Sequence, residues 1–312
     1  MLVRLTRRLT IAAAVAALLA ACSPPVQNPV DTSGLPMWVI KDKDSTIYLT
    51  GTVHMLPPDV QWRSPRLDKA MKDSTELWLE LPMPSRQEDL IRQYGPMMMK
   101  HMMSFNRPLS SLLTDEEKAQ LAAAIERAKL PESTGKGLDM MKPWAVTLML
   151  GVGPLMASGF DPESGIDLNL AKIAEDQGDA IKGFETFEQQ MMMLAGGTEE
   201  EQLAALRIAI AQPPEDIEKL QKTSETAFAG WAKGDTKPVE DMVAEMKTDP
   251  ASMSGMAADV ILDNRNENWA GQIEERLKGS GVSFIAVGAA HLVGPTSVQE
   301  RLKLRGIEAK RY

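Results

Sequence analysis

The sequence predicts a mixed α/β fold: a central sheet built from strands near both chain ends, with a large helical insertion between them. Three observations carry this. Short apolar runs bounded by turn residues cluster at 38–81 and 283–312. The stretch between, roughly 85–280, is dominated by capping signals and helical apolar spacing. A strand–helix–strand order over 46–81 implies a right-handed crossover and a parallel pair.

The elements follow in order. Trp38–Ile40 and Thr46–Thr50 read as two short strands around a polar turn, Lys41-Asp42-Lys43-Asp44-Ser45. Ser64-Pro65 opens a helix, with Ser as N-cap, Pro in the first turn and Leu67, Ala70 and Met71 on one face. Glu76–Leu81 is the next strand. Thr114 begins a capping box closed by Glu117, and Leu121, Ile125 and Ala128 follow on one side. Thr198–Glu201 repeats that signal ahead of Leu203, Leu206 and Ile210. Between them, Ala180–Phe184 is short enough for a strand. Ser283–Val287 reads as a buried strand, Pro295–Leu304 as a helix closed by Gly306, and Ile307–Tyr312 as a last strand.

Composition bounds the function. The chain has 312 residues, 44% hydrophobic and 25% charged, which excludes a disordered or collagen-like chain. A formal charge of −9 argues against a nucleic-acid binder, whose footprint is basic. There is one Cys, so no disulfide forms within the chain.

That Cys closes the N-terminal segment. Arg4, Arg7 and Arg8 precede an apolar stretch, Leu9–Ala21, that is short for a membrane span but suits a signal peptide. Leu19-Ala20-Ala21-Cys22 resembles a bacterial lipobox, which makes Cys22 the expected lipidation site. The organisation is then a lipoprotein signal peptide at 1–22, a Pro-rich flexible tether at 23–36 and one folded domain at 37–312. The expected location is the bacterial cell envelope, with a lipid anchor in the membrane. Ser23 does not resemble the Asp that retains some lipoproteins in the inner membrane, so the outer membrane, facing the periplasm, is favoured.

Two loops carry the functional signal. Gly51-Thr52-Val53-His54 follows one predicted strand, and Gly288-Ala289-Ala290-His291 follows another. Gly permits a sharp turn at a strand end. The turn can present an imidazole at the carboxyl edge of the sheet, where α/β folds commonly place their sites. Two separate structural histidines are the alternative. Glu80 ends the strand Glu76–Leu81 among apolar neighbours, where a carboxylate must be paired, protonated or bound to a cation. Two His and one carboxylate make a three-ligand set for a hydrolytic metal; a salt bridge to a helix Lys or Arg is the other reading of Glu80.

Arg265 lies in an apolar helical row with Ile261, Trp269, Ile273 and Leu277. A guanidinium there is either an anion or substrate clamp, or half of an internal salt bridge to Glu80 or Glu185. Glu185 follows the strand Ala180–Phe184, and Gln189 and Gln190 begin the next helix, so these three can reach the same edge. Ser164-Gly165-Ile166-Asp167 fits a capping pattern that makes Asp167 structural. Met97–Met103, with His101 inside it, suits core packing or an adaptable apolar surface, with a Cu(I) site as the rival reading.

Taken together, WVIKDKDSTIYLTGTVHML, ELWLEL, GIDLNLAKIAEDQGDAIKGFETFEQQ, RNENWA and GAAHLVGPTSVQERLKLRGIEAKRY resemble the TraB/GumN family, related to the Tiki metalloproteases. The order and spacing of the pieces, from Trp38 to Tyr312, carry the resemblance. It implies a mixed α/β fold with both Gly-x-x-His motifs facing one cleft. For the Tiki branch it implies divalent-metal-dependent peptide cleavage. Carried onto this chain, the motifs fall on His54 and His291, the acidic strand end on Glu80, and an Arg-Asn pair on Arg265 and Asn266.

The resulting expectation is a lipid-anchored hydrolase that depends on a divalent metal (Mn, Co, Zn or Fe) and acts on peptides. His54, His291 and Glu80 would hold the metal, with Glu80 as third ligand or general base. Arg265 would orient substrate or stabilise an oxyanion. Arg265, Asn266, Glu185 and Gln190 are the expected substrate contacts. The rival is a non-catalytic periplasmic protein that binds a peptide, a haem-like ligand or a metal in the same cleft.

Overall fold

A computed structural model of the protein describes residues 34–130, 135, 137–248 and 259–312. The expected signal peptide, Cys22 and tether residues 23–33 lie outside the described residues. Leu35 and Pro36, assigned to the tether from sequence, belong to the fold. Leu35 is fully buried, and the Pro36 carbonyl accepts from Thr50 Oγ1 at 2.8 Å.

In chain order the elements are β1 (Met37–Lys41), β2 (Ser45–Thr52), α1 (Pro65–Asp73), β3 (Glu76–Leu79), α2 (Gln87–Met102), α3 (Asp115–Arg127), α4 (Pro143–Ala157) and α5 (Ile166–Gln177). There follow β4 (Ala180–Gly183), α6 (Phe187–Leu194), α7 (Glu199–Ala211), α8 (Pro214–Ala232), α9 (Lys237–Thr248), α10 (Asn264–Leu277), β5 (Gly281–Gly288), α11 (Val298–Leu304) and β6 (Lys310–Arg311). The mixed α/β class and the helical insertion are as the sequence predicts. The local signals work as read: the Ser64 hydroxyl accepts from Leu67 N at the start of α1. Thr114 and Thr198 both close reciprocal capping boxes, at the starts of α3 and α7.

The six strands form one sheet in the order β4-β3-β5-β2-β1-β6. The first four are mutually parallel, and β1 runs antiparallel to both β2 and β6. Strands β2 and β3 are parallel, as the strand–helix–strand order implies, but they are not neighbours. The late strand β5 inserts between them. Its sequence suits that central place: Phe284, Ile285, Ala286 and Val287 are each at most 1% exposed, the near-continuous apolar run of a parallel strand covered on both faces. This insertion matters for function, because it puts the chain's second Gly-x-x-His loop between the ends of β2 and β3.

The helical insertion carries its own apolar cluster, around Leu109, Leu138, Val146, Leu206 and Ile210. Met102 packs against a further small cluster of Trp144, Ala145 and Met191. Among the described residues no helix is long and apolar enough to cross a membrane.

Candidate functional site

The carboxyl edge of the parallel strands is where the candidate residues gather. The β2–β5 register pairs Thr52 with Gly288, so His54 and His291 leave adjacent parallel strands at the same edge. Each motif glycine answers to close packing. A Cβ on Gly51 would stand 2.2 Å from Trp231 Cζ2, and the indole Nε1 donates to the Gly51 carbonyl at 3.0 Å. A Cβ on Gly288 would stand 2.9 Å from Glu80 Oε1. Its absence lets that oxygen accept from the Gly288 N–H at 2.7 Å. At these two positions glycine is required for close approach rather than for a sharp turn.

His291 sits in a short 3₁₀ turn, Ala289–Leu292, directly after β5. It is 3% exposed and lies against the Trp269 ring, with centroids 4.4 Å apart. Asn266 Nδ2 donates to the Thr296 carbonyl at 2.8 Å, which turns Asn266 Oδ1 toward His291 Nδ1, 2.6 Å away. Nδ1 therefore carries the proton, and Nε2 presents its single lone pair. Arg265 Nη1 donates to that lone pair at 3.1 Å. Burial is the main cause that holds this imidazole down to about 4, so it is neutral at pH 7.

Arg265 is the hub. Nε and Nη2 form a two-pronged contact with Glu185 at 2.8 and 2.9 Å. Nη2 also reaches Glu80 Oε2 at 2.6 Å, and Nη1 reaches the Ile261 carbonyl at 3.2 Å. With His291, these contacts engage all five guanidinium N–H groups. The Trp269 face lies 4.5 Å from Cζ, adding a cation–π contact. The two salt-bridge partners considered from sequence, Glu80 and Glu185, are both made. The guanidinium has no N–H left for a substrate, so it acts on the cleft only through the carboxylates it fixes.

Gln190 Nε2 bridges Glu80 and Glu185 at 3.3 and 3.2 Å, and Trp269 Nε1 donates to Glu185 Oε1 at 3.1 Å. Glu80 is ionised. Burial alone would raise its pKa, but His291, Arg265, His54 and the Gly288 N–H outweigh burial and bring it down to about 2.

His54 stands apart from this network. Its loop is tied to the start of α5: Ile166 N donates to the Val53 carbonyl at 2.9 Å. A Cβ on Gly165 would lie 2.3 Å from the His54 carbonyl oxygen. The His54 side chain is 67% exposed, and its Nδ1 lies 3.1 Å from Asp167 Oδ2. Asp167 is the first cause of a raised imidazole pKa. The other carboxylate oxygen, Asp167 Oδ1, is buried without a hydrogen-bond partner among the described residues.

The cap that Ser164 is expected to begin does not form: Gly165 is the N-cap, and Asp167 sits in the first turn of α5. No local pattern marks a partner 113 positions away along the chain.

A cleft of about 830 Å³ opens over this edge, lined by Thr52, His54, Glu80, Asp167, Lys172 and Gln190 among others. Its size is that of a small-molecule or peptide-segment site. Arg265 and His291 are not among the lining residues, whereas Glu80, which touches both, is. Lys172 has no signal in the sequence; it lies one helical turn beyond Leu168 and Asn169, which also line the cleft.

Among the described residues, no three His, Cys, Asp or Glu side chains come together to hold a metal ion. His54 is turned to Asp167, and Arg265 stands in the way at His291. A metal on His291 Nε2 stands about 2.1 Å along the lone pair, which is the direction already taken by Nη1 at 3.1 Å. The ion and the guanidinium cannot both occupy it. His54, His291 and Glu80 therefore do not fit a three-ligand metal in this arrangement.

The TraB/PrgY/gumN family model matches residues 36–311. An uncharacterized protein of Treponema pallidum (strain Nichols) is 21% identical over 279 residues, covering 86% of this chain and 80% of the relative. No solved structure gives a significant match.

Proposed function

The chain belongs to the TraB/PrgY/gumN family, and on that premise we propose that it is a hydrolase of peptides acting at the carboxyl-edge cleft through its own side chains. One observation carries the reading: His54, held at Nδ1 by Asp167, shares a cleft lining with an ionised Glu80. Peptide as the substrate class comes from the resemblance to the Tiki proteases.

The roles follow from the contacts. Asp167 accepts from His54 Nδ1 and so leaves Nε2 as the proton acceptor. It also stabilises the imidazolium that forms when His54 takes a proton from the attacking water. Glu80, fixed by Arg265, Gln190 and the Gly288 N–H, offers a second acceptor to orient that water. Lys172 supplies positive charge within the same cleft for the developing oxyanion. The proton on His54 then passes to the leaving amine.

The lipobox-like Leu19-Ala20-Ala21-Cys22 supports attachment of the chain to a membrane through Cys22, with the cleft working in the periplasm. A divalent metal bound by His54, Glu80 and His291 remains the competing account. It is supported by the two imidazoles at one sheet edge, and it requires Arg265 to release His291.

The test is cleavage of a diverse peptide library, read by mass spectrometry, for the wild type and for His54→Ala and Asp167→Asn. The proposal expects wild-type products, their loss by about a hundredfold or more in His54→Ala, and an intermediate loss in Asp167→Asn. Peptides retained without any turnover would overturn it in favour of a binding protein.

A further inference from the structure

We infer that the Arg265 guanidinium serves as a built-in cation, standing between Glu80, Glu185 and His291 where a metal-centred site would hold its ion. The centre is therefore metal-free in the native chain and becomes a metal cage when Arg265 is removed. This deepens the hydrolase reading by removing the metal from it.

The case rests on the donor set. Two carboxylates and one imidazole Nε2 surround one guanidinium; their donor types are those a divalent ion takes, but with Arg265 between them they do not close into a metal-holding group among the described residues. In this chain every one of those donors faces the guanidinium: Glu80 Oε2 at 2.6 Å, Glu185 at 2.8 and 2.9 Å, and His291 Nε2 at 3.1 Å. The second-layer contacts also match those around a metal-bound His. Asn266 fixes the tautomer by accepting from Nδ1, as a partner of a ligating imidazole does. Gln190 and Trp269 steady the carboxylates. Arginine differs from a metal in two ways. It is tethered to α10, so the cation is always present. It is also saturated by its five contacts, so it activates no water. The chemistry is left to His54 and Glu80, which line the cleft.

The site also explains why His54 stays outside the cluster. A three-ligand metal built from His54, His291 and Glu80 needs the exposed imidazole drawn inward; with the central cation already supplied, His54 is free to pair with Asp167 at 3.1 Å.

The experiment compares the full wild-type chain with Arg265→Ala. Both are purified without chelator, assayed for bound metals by mass spectrometry, and melted with EDTA, MnCl₂ or ZnCl₂. The inference expects far less than one metal per wild-type chain and a melting temperature unmoved by either metal or EDTA. It expects Arg265→Ala to gain roughly 5 °C or more when Mn or Zn is about a hundredfold above its dissociation constant. Where Arg265→Ala folds only with metal present, that dependence is itself the expected gain. A wild-type chain carrying close to one metal, lost in His291→Ala, would overturn the inference, as would a folded Arg265→Ala blind to both ions. A metal-bearing wild type would also favour the competing metal account, whereas an ion-blind Arg265→Ala leaves the hydrolase reading standing on whether His54→Ala abolishes peptide cleavage.

Discussion

Replacing Arg265 with Met is the sharpest probe of the buried network. The change keeps much of the apolar stem and the Trp269 contact but removes the charge. It leaves Glu185 without two bonds of 2.8 and 2.9 Å, and Glu80 without one of 2.6 Å. The Arg265 and Glu185 side chains are each 10% exposed and Glu80 is 12% exposed, so water cannot replace the lost partner. Breaking a buried ion pair from one side costs about 3–5 kcal/mol. At about 2–4 °C per kcal/mol, the melting temperature falls by roughly 6–20 °C. Chemical denaturation gives the free energy directly, with the slope checked for a change in mechanism. Adding Glu185→Gln to Arg265→Met removes one orphaned charge and returns part of the loss, so the two effects do not add. A single variant within about 1 kcal/mol of wild type would refute the claim that this network is a buried, fully engaged ion cluster.

Three other predictions follow from the same geometry. Asp167 raises the His54 pKa to about 9, and a base must be neutral to act. The pH–rate profile should therefore rise through a pKa above 6.5 and shift down toward 6.5 in Asp167→Asn; a falling limb would mean that His54 is an acid. The His291 pKa is lowered to about 4 by burial, so the unfolded chain binds the extra proton between pH 6.5 and 4. Stability should fall by up to about 3 kcal/mol as pH drops through that window, and His291→Gln should flatten the profile. Gly51→Ala forces a Cβ to 2.2 Å from the buried Trp231 ring and should cost about 2 kcal/mol or more by denaturation. Gly151→Ala, on a helix with nothing within 4 Å, should cost nothing.

Much of this architecture is legible in the amino-acid order because its signals are local. The capping boxes at Thr114 and Thr198, the Ser64-Pro65 helix start and the apolar run of β5 need only a few neighbouring residues to declare themselves. The two Gly-x-x-His loops are visible for the same reason, and so is the anomaly of a guanidinium in the apolar row of α10. What stays hidden depends on distance along the chain. Insertion of β5 between β2 and β3 is a pairing choice that no single strand encodes.

The Asp167–His54 contact joins the start of α5 to a loop after β2, and a cap-like spelling at Ser164 conceals it. Saturation of Arg265 is equally invisible. The apolar row shows that the charge needs a partner, but only the folded chain brings Glu80, Glu185, His291 and Ile261 to it together. That saturation separates the folded site from the metal-ligand set its residue types suggest. The methionine-rich stretch is partly accounted for: it forms the end of α2, where Met102 enters the Trp144 cluster and Met99 remains 56% exposed.

The most direct test of the account is the rate of peptide cleavage by the native chain after exhaustive treatment with EDTA. Activity that persists undiminished, and that disappears with His54→Ala, is what a site worked by His54, Asp167 and Glu80 predicts. Activity abolished by the chelator and restored by added Mn or Zn would contradict it.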